Sequence, residues 1–402
     1  METVSERFLR YVTFDTQSDE FSESCPSTPK QRVLGQALVE EMKAMGIQDA
    51  HMDEYGYVYG TVPGDPSLPV IGLIAHMDTS PACSGADVKA KVVCYNGGDI
   101  LLNKEKHIYM RAADYEQLAD HAGKHLIVTD GTTLLGADNK AGIAEILTAA
   151  QRLLLSDKKH ATLRIGFTPD EEIGRGADRF DVKGFGADYA YTVDGGTLGE
   201  IEYENFNAAG AVVEIRGISI HPGGAKNKMR NASLVAMEFQ GLLPVHQRPE
   251  ATEGYEGFIH LTDIEGCEEK ATLRYIIRDH DMDKFSQKKE IIETAAAFLN
   301  AKYGEGTIKL TIRDSYRNMR EKIEPCMYIV ERAIKAMEIV GIQPRVCPIR
   351  GGTDGARLSF EGLPCPNLCT GGQNFHGRFE YIPVEDMQAV TDLLVELLSN
   401  IT

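Results

Sequence analysis

Apolar residues recur at helical spacing near the start of the chain, at Val4, Phe8, Tyr11 and Val12, and again at Val33, Leu34, Leu38, Val39 and Met42. A period near 3.6 with polar residues between is the mark of a helix with one buried face, so residues 4–14 and 29–45 are predicted to be amphipathic helices. The pattern then changes to short apolar runs at 58–62, 70–75, 163–167 and 189–193, each bounded by glycine, proline or polar residues. Runs of that length read as strands of a well-covered sheet. Between the second and third of them, Ile143, Ile146, Leu147 and Ala150 form another helical stripe. Helices alternating with such strands predict an α/β layered domain with a partly parallel sheet, where ligands gather at the carboxyl ends of the strands. Residues 81–133 are polar, with weak strand signals at 88–94 and 125–128, and read as an irregular insertion.

Beyond residue 206 the pattern is different. Residues 209–216 alternate as a strand, 231–243 are helical, 255–262 and 271–278 are strands, 284–303 is a helix and 307–313 a last strand. The order βαββαβ predicts a ferredoxin-like unit over 207–315, inserted into a first domain made of 1–206 and 316–402. The first domain resumes with helices at 328–340 and 384–398.

Composition narrows the function classes. A chain of 402 residues, 43% hydrophobic, exceeds what one core usually supports, so two domains are expected on length alone. Its 60 acidic against 42 basic residues give a formal net charge of -18, which provides no electrostatic footprint for nucleic acid or an anionic membrane surface. No stretch reaches 18 consecutive apolar residues and the first 20 carry no apolar signal core, so a soluble, cytoplasmic protein is expected. Eight cysteines without paired spacing read as reduced thiols, Cys365 and Cys369 among them.

With so much acid in the chain, carboxylates must be considered as ligands. His76 and Asp78 close the run Ile74-Ala-His-Met-Asp, and the alternation of a strand puts both on one face at its carboxyl end. Imidazole is a common metal ligand, and a carboxylate at its second nitrogen would orient it. Taken alone, a strand-end histidine satisfied by a carboxylate is the commoner arrangement. Gly136-Ala-Asp138-Asn139 precedes a helix, where Asp138 or Asn139 would ordinarily cap. Asp170-Glu171-Glu172 follows another strand directly, and three adjacent carboxylates repel one another unless they are solvated or share a cation. The next strand ends in Asp194-Gly-Gly. Near the end of the chain His376 sits among glycines that permit close backbone approach.

Taken together these segments resemble the M20 metallopeptidase family, most closely its tripeptidase branch. The likeness rests on Ile74-Ala-His-Met-Asp-Thr-Ser-Pro81, Thr129 to Gly142, Thr168-Pro-Asp-Glu-Glu-Ile-Gly174, Tyr191-Thr-Val-Asp-Gly-Gly196, Arg350-Gly-Gly-Thr-Asp-Gly355 and Thr370 to Gly377, in the family's order over nearly the whole chain. It implies a zinc-dependent exopeptidase-like α/β/α catalytic domain, with the inserted ferredoxin-like domain as lid and dimerisation module. His76 and Asp194 would hold one Zn²⁺, Glu172 and His376 a second, and Asp138 would bridge them, with Mn²⁺ or Co²⁺ as substitutes. Asp78 would orient His76, and Glu171 would be the general base. His221, Asn231, Arg278 and Arg350 fit positions the family uses for substrate, arginine being suited to a carboxylate by its bidentate fork. The implied partners are a tripeptide substrate and a second copy of the chain, with no nucleic acid and no membrane. The stretch Thr252-Glu-Gly-Tyr-Glu-Gly-Phe258 resembles a tripeptidase lid. One departure is Gly224, where relatives often carry threonine in the loop that bears His221. A dipeptidase or N-acyl amino-acid deacylase of the same family is the alternative enzyme, and a binding protein that has lost catalysis is the alternative from another class.

Overall fold

The computed structural model describes residues 2–400. The chain divides into two compact units, Met1–Tyr203 with Met319–Cys347 and Thr353–Thr402, and Glu204–Asn318 with Pro348–Gly352.

The first unit is built on an eight-stranded mixed sheet in the order Gln48–Met52, Val58–Val62, Thr162–Thr168, Val70–His76, Tyr189–Gly195, Asn367–Cys369, Glu200–Glu202, Arg345–Val346. The strand Val70–His76 lies between Thr162–Thr168 and Tyr189–Gly195 and is parallel to both. That pairing explains its composition, since a strand with neighbours on both sides and helices against it offers no polar face. The helix Ala137–Leu154 packs on Val70–His76 and Tyr189–Gly195 and carries the helices Val384–Ser399 and Val4–Tyr11 on its other side. It is buried along almost its whole length. Ile74 and Ala190 join Tyr57, Phe180, Phe185 and Leu358 in one apolar cluster. Because the three central strands run in the same direction, His76, Thr168 and the Asp194 turn arrive together at one edge of the sheet.

The stretch 81–133 is more ordered than its polarity predicts. Lys91–Cys94 and Tyr381–Pro383 pair on either side of His125–Val128 in a three-stranded sheet, and Ile100–Asn103 pairs with Ile108–Met110. Tyr95, Ile100, Leu102, Met110, Leu118, Leu126, Val128 and Tyr381 give it a core of its own. Strands of three or four residues with one buried face leave too few apolar positions for a periodic signal.

In the second unit the antiparallel order is Phe258–Gly266, Lys270–Asp279, Asn207–Arg216, Ile308–Tyr316, with helices Ala232–Leu242 and Met282–Tyr303 packed on the sheet. The unit begins three residues before the boundary read from sequence, ends three after it, and also takes Pro348–Gly352. Arg350 accounts for the last addition: its guanidinium donates to the carbonyls of Thr252, Gly254 and Glu256 and lies over the rings of Phe206 and Phe258.

Candidate metal centre and active site

The carboxyl ends of the central strands converge on the Asp138 carboxylate. His76 Nε2 lies 2.8 Å from Asp138 Oδ1 and 3.3 Å from Asp194 Oδ1. His376 Nε2 lies 3.0 Å from Asp138 Oδ2 and 2.9 Å from Glu172 Oε2. Two trios result, His76–Asp138–Asp194 and Asp138–Glu172–His376, each with its donor atoms within 4.8 Å of one another and with Asp138 in common. Five of the residues singled out in the sequence, drawn from positions up to 300 apart, therefore meet at one carboxylate.

Local backbone chemistry aims them. Asp138 opens the helix Ala137–Leu154 but makes no capping bond; Asn139 Oδ1 takes the Gly142 N–H instead, which leaves the Asp138 side chain for the two histidines. His376 adopts a left-handed backbone, φ 62°, within its glycine-rich loop. Asp78 is fully buried and its contacts extend beyond His76. His76 Nδ1 is closest to the Asp78 carbonyl, at 3.0 Å, and 3.3 Å from its carboxylate. That carboxylate also accepts the backbone N–H groups of Glu171, at 2.9 Å, and Glu172, at 3.2 Å. One side chain thus holds an imidazole on one strand end and two glutamates on the next.

Several carboxylates around the centre have no counterpart in the sequence assignment. Glu380, four residues past His376, accepts the N–H groups of Leu135, Gly136 and Asp138 at 2.7–3.0 Å. Asp354, buried at the start of the helix Asp354–Phe360, takes the Thr168 hydroxyl at 2.8 Å. Asp170, beside Glu171, is bound by Ser27 and Gln31. Asp170 and Asp354 lie within stretches already conspicuous for acid and glycine, and Glu380 closes the loop that carries His376; position relative to those stretches was the available signal.

The electrostatics call for cations. Among the described residues no lysine or arginine forms an ion pair with Asp78, Asp138, Glu171, Glu172, Asp194 or Asp354; only His76 and His376 do. Burial and the neighbouring Asp138 push Glu172 up to about 7, and burial pushes Asp194 up to about 6 and Asp354 up to about 7. Burial followed by the charge of Asp194 holds Glu171 well above the usual carboxylate range. Hydrogen bonds to Asp138 and Glu172 raise His376 to about 11. For Asp138 burial acts upward, but the two imidazoles outweigh it and hold the group low. Glu172 Oε1 is buried without a hydrogen-bond partner. A surplus of buried carboxylates with an orphaned oxygen is the arrangement that divalent cations relieve, and two overlapping N/O donor sets fit two of them.

The remaining sequence candidates lie in the second unit. His221 is exposed and accepts the Gly223 N–H through Nδ1. Asn231 caps the helix Ala232–Leu242 through the Leu234 N–H. Arg278 donates to the carbonyls of Ala209 and Ile277 and lies over the Tyr316 ring. Arg350 holds the 252–256 loop as described.

The chain belongs to peptidase family M20/M25/M40, whose family model matches residues 126–400. Its fold is that of an M20 peptidase: the aminopeptidase PepT of Bacillus cereus superimposes with a TM-score of 0.78 at 23% identity, covering 98% of this chain and 97% of that one. A Bacillus subtilis structure described as a dinuclear metal binding peptidase from the M20 family gives 0.65 at 15% identity, covering 98% and 97%. At the level of sequence, the protein named Peptidase T from Alkaliphilus oremlandii is 57% identical over 99% of both chains, and the one from Desulfitobacterium hafniense strain DCB-2 is 56% identical over 99% of this chain and 98% of its own. No helix among the described residues is long and apolar enough to cross a membrane.

Proposed function

We propose that this protein is a metallo-aminopeptidase that removes the N-terminal residue from tripeptides. The observation that carries the reading is the pair of histidines on opposite oxygens of Asp138, with Asp194 completing one trio and Glu172 the other. In this reading His76, Asp138 and Asp194 hold one ion and Asp138, Glu172 and His376 the second, and the absence of thiolate from the donor set favours Zn²⁺ over softer ions. Bound there, the ions supply Lewis acidity to the scissile carbonyl and acidity to the attacking water. Glu171, next to a ligand but outside both trios, accepts the water's proton and returns it to the leaving amine. Asp78 fixes Glu171 through its N–H and His76 through its ring, so base and ligand share one support.

His221, Arg278, Arg350 and Asn231 are assigned to the substrate, the arginines to its carboxylate and His221 to the developing oxyanion. Residues 207–315 are assigned the roles of lid and homodimer contact. Leu234 and Met237, 62% and 65% exposed on the helix Ala232–Leu242, together with the edge strand Phe258–Gly266, support a surface that a second copy covers. The assigned location is the cytoplasm.

Purified protein loaded with zinc should cleave tripeptides faster than dipeptides or acylated amino acids; the reverse order would reassign it within the family. Glu171→Gln should abolish turnover with metal content near two per chain, and retained turnover would remove Glu171 from the mechanism.

A further inference from the structure

Asp170 is 1% exposed and carries no ion pair among the described residues. It adopts a left-handed backbone, φ 60° and ψ 25°, at the turn that leads into Glu171. Its carboxylate is satisfied by a segment 140 residues earlier in the chain: the Ser27 N–H at 2.7 Å, the Ser27 hydroxyl, and Gln31 Nε2 at 2.6 Å. Gln31 answers with its own oxygen, which accepts the Asp170 N–H at 3.2 Å. On the far side of the turn the Arg175 N–H closes onto the Asp170 carbonyl, and the Arg175 guanidinium reaches back to the Ser22 carbonyl of the same early segment.

That segment is itself tied to the other loops of the centre. Ser18 N–H donates to the Thr79 carbonyl and Thr79 N–H to the Thr16 carbonyl, just past His76 and Asp78. Lys140 Nζ, two residues past Asp138, donates to the Phe14 carbonyl at 2.7 Å. Residues 14–31 thus form a strap across three loops that carry the centre. Asp170 is the strap's contact with the loop of the base.

We infer that Asp170 is a positioning residue for catalysis: latched to Ser27 and Gln31, it fixes the left-handed turn that directs the Glu171 carboxylate. The inference rests on Glu171 being the base. Apolar packing would hold a loop in place equally well, whereas a buried carboxylate with reciprocal donors on one side fixes its rotation. Rotation matters because a displacement of about 1 Å at a reacting group costs on the order of a hundredfold in rate.

Asp170→Asn separates positioning from packing. The amide supplies one acceptor where the carboxylate supplied two, so an NH₂ must face either the Ser27 N–H, which cannot turn, or Gln31. Turning Gln31 over relieves that contact and gives up its bond to the Asp170 N–H. The expected result is a fall in kcat of at least about tenfold, KM within about twofold, and two metals per chain by atomic absorption. The double variant Asp170→Asn/Gln31→Glu restores the pairing with donor and acceptor exchanged and should recover most of kcat. Wild-type kcat in Asp170→Asn overturns the inference, as does a loss that excess zinc reverses or a double variant with no recovery. Should Asp170→Asn fail to fold, Ser27→Ala serves, with an expected twofold to fivefold fall in kcat; wild-type kcat there also overturns it. Glu171→Gln measured alongside keeps the two readings apart, since an active Glu171→Gln refutes the base, and an inactive one beside a wild-type Asp170→Asn refutes only the latch.

Discussion

The Asp78 carboxylate serves three groups, so its replacement has a consequence that a simple histidine-orienting residue would not. In Asp78→Asn the amide oxygen keeps the Glu171 N–H and the contact to His76, while the NH₂ faces the Glu172 N–H. One buried donor left unsatisfied costs about 1–3 kcal/mol, and the exchange of charged for neutral acceptor weakens the surviving bond by about 1 kcal/mol, a total of about 2–4 kcal/mol. For a domain of this size that corresponds to a fall in Tm of roughly 3–7 °C in metal-free protein. Loss of the charge behind His76 should weaken metal affinity about 10- to 100-fold, read by competition with a zinc chelator. The decisive measurement is kcat with saturating zinc and saturating tripeptide. If Asp78 acted only through His76, excess metal would restore kcat fully. Because the variant also strands the Glu172 N–H and leaves the neighbouring Glu171 N–H on a weaker, neutral acceptor, kcat should stay at least about tenfold low in fully loaded enzyme. Full recovery with zinc would refute the shared-support argument.

Three further outcomes follow from groups outside the two trios. Glu380→Ala removes the acceptor from three backbone N–H groups at once and should cost about 3 kcal/mol or more, together with weaker metal retention; unchanged chemical denaturation would refute it. Burial acts to raise Glu41, but hydrogen bonds from Arg10, Tyr11 and Arg7 outweigh it and hold the group below its ordinary 4.5, so this network contributes fully above 4.5 and is lost as pH falls through the lower folded value. Glu41→Gln leaves the buried Arg7 with Glu2, at 3.7 Å, as its ion pair and should cost about 2 kcal/mol at neutral pH, with the difference from wild type closing as pH falls from 4.5 through the lower folded value; a gap in Tm that does not depend on pH would count against it. Glu145 is buried in the helix Ala137–Leu154 with neither oxygen hydrogen-bonded, and burial holds its carboxyl well above 4.5. The folded chain keeps a proton there that the unfolded chain releases, so its cost grows as pH rises above 4.5; Glu145→Met should raise Tm, more at pH 8 than at pH 5, and an equal gain at both would refute the linkage.

Much of this was legible without coordinates. Val70 to Ala75 announces itself as a strand because it is apolar throughout, and Leu163 to Phe167 because Arg164 alone interrupts its apolar run; His76, Asp138, Glu171, Glu172 and Asp194 are conspicuous because each stands where an apolar run stops or a helix begins. The candidate residues were readable for the same reason that they come together, since parallel strands deliver their carboxyl ends to one edge. The strands Asn367–Cys369 and Glu200–Glu202 were not readable, being three residues long and defined by their neighbours in the sheet.

Periodicity and residue type were enough to read an α/β domain and a βαββαβ unit, and to single out the side chains that the structure gathers around Asp138. Only the tertiary structure decided which backbone groups those side chains must also serve. That Asp78 holds Glu171 and Glu172, that Glu380 holds the Asp138 loop, and that Asp170 is satisfied by Ser27 and Gln31 are hydrogen bonds between segments roughly 90 to 250 residues apart. Such partners leave no periodic trace, because a buried carboxylate needs donors in space and any stretch of backbone can provide them.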